Sequence, residues 1–116
     1  MTEFAGLITR ETGDRTIIEV DAQNIDFRNC ETIKSAIQTI VSGGKKDIIL
    51  NLGKVGFMDS SGLSILIYGK RLCDEVNGTF VMCSLQNYVN NLAQLTKLNK
   101  SINIYETEEQ AVSSNN

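Results

Sequence analysis

The sequence of 116 residues contains no histidine, and that absence removes a good deal of chemistry. A serine-histidine-aspartate triad would have no base, and zinc loses its commonest nitrogen ligand. Cysteine is scarce too: Cys30, Cys73 and Cys83 form no Cys-x-x-Cys pair, and bridging two would leave one over. Small buried thiols in a reducing compartment are expected, with no metal site. Positive charge is in deficit, the formal net charge being −3 and the basic residues scattered. A nucleic-acid backbone needs a basic face, so no nucleic-acid partner is expected. Apolar runs are short, and the start MTEFAGLITRETGD lacks the cationic residues and apolar core of a signal peptide. A cytoplasmic location without direct membrane insertion is the expectation.

What is present reads as one ordinary globular domain over residues 1–116, with 41% hydrophobic and 22% charged residues. GLITRETGDRTIIEVDA predicts a hairpin about Gly13-Asp14, with Ile18 and Val20 alternating. Asp26 is expected to cap a helix whose apolar positions are Phe27, Cys30, Ile33, Ile37, Ile40 and Val41, ended by Gly43-Gly44. Residues 47–52 predict a central strand, residues 60–76 a helix, and Asn77-Gly78 a break before a strand at 79–83. A third helix is expected over 86–98, using Val89, Leu92 and Leu95, then a short strand at 102–105. Thr107 and Gln110 have capping-box spacing for a last short helix, with a disordered tail at 113–116. The order implies an α/β fold: a mixed central sheet of about four to five strands flanked by about four helices, its core spanning about residues 4–112.

Projected at about 100° per residue, the 60–76 helix divides into two sides. Gly62, Ile65, Leu66, Gly69, Cys73 and Val76 form the expected core side, the glycines allowing close approach to the sheet. Ser60, Ser64, Tyr68, Arg71 and Glu75 line up opposite, edged by Leu63 and Ile67.

Four uses compete for Asp59-Ser60-Ser61-Gly62, where the central strand hands over to this helix. Asp59 or Ser60 can simply cap the first turn. A hydrolase nucleophile would want Gly-x-Ser-x-Gly and a base, which only a rarer group such as lysine could supply here. A phosphate cradle, also suggested by SGGKK at 42–46, fails on order, because those glycines end a helix and precede a strand. The fourth use is a covalent switch with Ser60 as phosphoacceptor.

For that use the sequence offers a specific resemblance. FMDSSGL, preceded by IILNL, resembles the signature of the STAS domain of anti-sigma factor antagonists, bacterial partner-switching proteins. NIDFRNCETI, NLAQLTKLNKSINIY and EEQAV resemble the family's first helix region, last helix with its strand, and C-terminal helix. Two departures stand out: Gln23-Asn24-Ile25-Asp26 where the family writes Gly-x-Leu/Ile-Asp, and Leu95-Thr96-Lys97-Leu98 where it writes Leu-x-Gly-Leu.

The resemblance implies a non-enzymatic chain without cofactor or metal, monomeric when free. Ser60 would be phosphorylated by an anti-sigma factor that is also a serine kinase with a histidine-kinase-like ATPase fold. The unmodified form would bind that partner and free its target regulator, and a metal-dependent serine phosphatase would restore it. The implied docking face comprises Asp26, Asp59, Ser60, Ser61, Gly62, Leu63, Ser64 and Ile67. The alternatives are a STAS docking subunit of a membrane lipid or anion transport complex, and an ester hydrolase.

Overall fold

In the computed structural model, which describes residues 4–114, Gly13 and Asp14 reverse the chain between β1 (Leu7–Thr12) and β2 (Arg15–Val20). The strands pair antiparallel, Thr12 opposite Arg15, and Gly13 takes the φ of 60° that a two-residue hairpin requires at its first position. Every later neighbour in the sheet is parallel: β2 with β4 (Asp47–Asn51), β4 with β6 (Thr79–Cys83), and β6 with β7 (Ile104–Tyr105). The result is a mixed five-stranded sheet in the order β1-β2-β4-β6-β7. Two short segments outside it, β3 (Asn24–Ile25) and β5 (Phe57–Met58), form a separate parallel ribbon that periodicity did not reveal.

Parallel strands need crossovers, and these are α1 (Cys30–Ser42), α2 (Ser60–Glu75) and α3 (Asn87–Leu95), with α4 (Glu108–Ser113) closing the chain. The pleat sends alternate strand residues to opposite faces. Ile18, Val20, Ile48, Leu50, Phe80 and Met82 join the large core with Ile33 and Ile37 of α1, Ile65 and Leu66 of α2, and Val89 of α3. Ile17, Ile49, Val81 and Cys83 point the other way and meet only Ala111 of α4, with Tyr105 and Val112 at the margin.

The expected core side of α2 is nearly all buried, and its glycines are space-limited. A Cβ on Gly69 would sit 2.5 Å from the Phe80 ring, and one on Gly62 would sit 2.2 Å from Met58 Cγ. Val76 departs from expectation: it lies beyond the end of α2 and is 42% exposed. Both ends of the chain's helical regions need similar corrections. α1 begins at Cys30, not beside Asp26, because residues 27–29 form a turn that leaves Phe27 76% exposed. α3 stops at Leu95, which is 81% exposed, since Val89 and Ala93 four residues apart make the inward stripe.

The chain then passes Lys97 at a φ of 64° into a short 3-10 helix, Leu98–Lys100. Here the family's glycine is missing where a left-handed conformation is used, a strain of roughly 1–2 kcal/mol for a residue with a Cβ. Gln23 carries no such burden, as its φ is not positive. Of the tail expected at 113–116, Ser113 ends α4 and Ser114 accepts from the Arg15 guanidinium through its backbone oxygen. Residues 115–116 lie outside the described residues. Cys73 and Cys83 are buried and Cys30 half-buried, all as free thiols, and desolvation pushes the Cys73 thiol up to about 12.

Candidate functional site

The β3–β5 ribbon sets the site by bringing two distant segments into register. Ile25 pairs with Met58, the Gly56 and Phe57 amides donate to Gln23 O at 2.8 and 3.2 Å, and the Asp59 amide donates to Ile25 O at 3.2 Å. Asp26 and Asp59 therefore leave the ribbon side by side, about one strand spacing of 4.8 Å apart at the backbone.

Asp59 is the N-cap of α2, with extended backbone (φ −98°, ψ −168°) and a carboxylate that accepts from the Ser61 amide at 2.8 Å and the Gly62 amide at 3.4 Å. Such a cap stabilises a helix by roughly 0.5–2 kcal/mol, so the capping use of this stretch is real and belongs to Asp59. Ser60 is then the first helical residue. Its carbonyl accepts from Ser64 Oγ at 3.1 Å, its side chain is exposed, and no hydrogen bond engages its hydroxyl among the described residues. Among the described residues the hydroxyls of Ser60 and Ser61 are both without a hydrogen bond, and of the two only Ser60 is exposed, at the mouth of the helix next to its cap Asp59.

The remaining predicted residues divide by exposure. Ser64 and Ile67 are exposed, the latter by 54%, while Ser61 and Leu63 are half-buried. Gly62 is buried against Met58 and Ile25, so it seats the helix and presents no surface. Asp26 does not cap α1. Its carboxylate accepts from the Arg28 amide at 2.9 Å and from the guanidinium at 2.6 and 3.2 Å, and its carbonyl accepts from the Cys30 amide. The Arg28 side-chain hydrogen bond, then the backbone one, hold the Asp26 carboxyl below the usual carboxylate range.

Two features near the site escaped sequence reasoning. Phe57 and Tyr88 stack at 5.3 Å between ring centroids, with both rings partly exposed beside the ribbon. Lys34 Nζ lies 4.8 Å, and Arg71 Cζ 5.5 Å, from the centre of the Tyr68 ring. Each joins elements remote in sequence, and no local pattern signals such pairs. A cleft of about 210 Å³ between α1 and α2 is lined by Cys30, Glu31, Lys34, Ser61, Ser64 and Ile65. Among the described residues no cluster of acidic and thiol groups could hold a metal ion, and no helix is long and apolar enough to cross a membrane.

The chain is similar to several proteins named as anti-sigma factor antagonists, and its fold is also similar to that of a sulfate transporter family protein from Wolinella succinogenes, with a TM-score of 0.74 at 12% identity over 86% of this chain and 83% of that one. The chain is 26% identical over 112 residues to the anti-sigma F factor antagonist of Paenibacillus polymyxa, covering 97% of this chain and 82% of that protein. A Bordetella bronchiseptica protein, BtrV, named for an anti-sigma factor antagonist role, is 22% identical over 62% of each chain. Among solved structures, the anti-sigma factor antagonist SpoIIAA in its unphosphorylated form superposes with a TM-score of 0.79 at 25% identity, covering 91% of this chain and 92% of that one. The phosphorylated form of Bacillus SpoIIAA superposes at 0.73 with 24% identity, over 91% of this chain and 96% of that one. The STAS domain model matches residues 7–111. With the sheet order, the strand-to-helix handover and these matches in agreement, the chain belongs to the STAS domain family.

Proposed function

We propose that this protein is an anti-sigma factor antagonist working as a phosphorylation-controlled partner switch in the cytoplasm. Unmodified, it binds an anti-sigma factor that is also a serine kinase of the histidine-kinase-like ATPase fold, and so frees that partner's target regulator. Phosphorylation of Ser60 ends the binding, and a metal-dependent serine phosphatase restores it. The observation that carries this reading is the exposed Ser60 hydroxyl, without a hydrogen bond among the described residues, directly after the cap Asp59 whose backbone lies one strand from that of Asp26. The relatives' names supply the general role.

Magnitudes favour a switch at the interface over a change of fold. A phosphate adds about −1.5 to −2 charges, and a hundredfold loss of affinity needs about 2.7 kcal/mol. A dianion about 6 Å from one carboxylate is repelled by about 1.4 kcal/mol in water, but by about 5.5 kcal/mol at an effective dielectric of about 20. Docking removes the water, so the difference alone exceeds what the switch requires. The fold would be spared, because the Ser60 side chain is exposed and the helix end tolerates negative charge. Kinase and nucleotide chemistry come from the partner, leaving this chain as substrate.

The test is incubation with candidate ATPases of this kind plus ATP, followed by mapping of the phosphate by mass spectrometry. Ser60→Ala should stay unmodified and keep binding, and Ser60→Asp should lose about a hundredfold in affinity. Phosphate found on Ser61 would move the acceptor by one residue. A phosphorylated protein that binds its ATPase as tightly as the bare one would overturn the reading.

A further inference from the structure

We propose that Lys34 and Arg71, gathered over the Tyr68 ring, form a cationic anchor for an acidic segment of the same protein partner that docks over Ser60. The inference rests on the docking reading above and adds a second pole to it.

Three observations carry it. First, no ion pair engages Lys34 or Arg71 among the described residues; Arg15, Lys46, Lys97 and Lys100 are without an ion pair as well, but Lys34 and Arg71 are the two gathered on one ring. Glu31 and Glu75, one turn away on α1 and α2, pair with neither. Second, the ring holds both cations in place without neutralising them. Long basic side chains ordinarily lose rotamer freedom on docking, and here part of that loss has already occurred. Third, the anchor is continuous with the site. Tyr68 stands two turns beyond Ser60 on the exposed side of α2, about 12 Å along the axis, and Lys34 lines the cleft that Ser61 and Ser64 also line.

The face therefore carries Asp59 and the Arg28-paired Asp26 at one end, and at the other two ring-held cations that no carboxylate pairs among the described residues, with Glu31 and Glu75 one turn away. Opposed charges fix the orientation of a docking partner and speed its approach. An acidic protein segment suits the cationic pole better than nucleic acid, because two cations on a chain of net charge −3 make too small a phosphate footprint.

The full chain, labelled for NMR, would be titrated with hexaglutamate peptide at about 20 mM salt, where screening is weak. Shift changes should concentrate at Lys34, Tyr68 and Arg71 and vanish in the Lys34→Glu/Arg71→Glu double variant. Shifts spread evenly over Lys46, Lys97 and Lys100, or an equal response to a hexathymidine oligonucleotide, would overturn the anchor. Against the ATPase that phosphorylates the protein, the double variant should bind about tenfold more weakly, and the charge-conserving Lys34→Arg/Arg71→Lys should bind normally. If the double variant binds like the native chain while Ser60→Asp does not, the anchor alone fails. If Ser60→Asp itself binds normally, the docking reading beneath it fails.

Discussion

The two faces of the sheet are closed by different physics. On one, three helices bury a continuous aliphatic core, and α2 lies so near the strands that Gly69 has no room for a methyl group. On the other, four strand residues meet a six-residue helix, and the seam is fastened by polar contacts: Arg10 bridges Glu108 at 2.7 and 2.8 Å, and Asn51 donates to Glu108 at 2.9 Å. The thick face is held by shape and the thin face by charge. The candidate site belongs to the thick face, where a rigid helix aims Ser60 outward.

The largest perturbation should come from violating shape. Gly69→Val forces side-chain carbons into the Phe80 ring and should cost about 3 kcal/mol or more, read as a fall in denaturant midpoint. A cost no larger than that of Glu108→Gln would erase the contrast between the faces. Glu108→Gln should cost about 1 kcal/mol, because it leaves the guanidinium of Arg10 without its bidentate partner at a partly exposed site.

That second cost should depend on pH. Hydrogen bonding from Arg10 holds the Glu108 carboxyl below its ordinary value of 4.5, against an opposing desolvation. A folded value below the unfolded one means that the clamp's stability is complete above the unfolded value and is lost as pH falls through the folded one. Native and Glu108→Gln proteins should therefore differ at neutral pH and converge in acid. Gly69→Val should stay low at both, which a pH series of unfolding curves would check.

The smallest effect has the opposite sign and lies on the thick face. Lys97→Gly removes the left-handed strain while adding freedom to the unfolded chain, for a net gain of about 0.5–1 kcal/mol. No gain would mean that Lys97 is compensated by contacts its exposed position does not suggest.

Much of this architecture was legible in the sequence because periodicity reports burial. The central strand, α2 and β6 were placed within a residue or two, each being a long run with one environment on each side. Legibility failed where local pattern and tertiary context part. Leu95 fits a helical stripe by spacing, yet the chain turns at Lys97 before that stripe can reach the core. Phe27 looks like the first core residue of α1, yet Asp26 spends its carboxylate on a turn with Arg28 and delays the helix to Cys30. At the candidate site the Asp-Ser-Ser-Gly handover was readable, since strand, turn and cap are local. The nearness of Asp26 was not, because it depends on a two-residue ribbon joining segments thirty-odd positions apart.

Because the Asp59 carboxylate already occupies the amides of Ser61 and Gly62, a group added to the neighbouring hydroxyl finds the helix mouth taken. A phosphate placed there, as proposed above, would stay outside, hydrated and within reach of a hydrolase. Under the proposed switch, a mark kept in the open could be erased as readily as it is set.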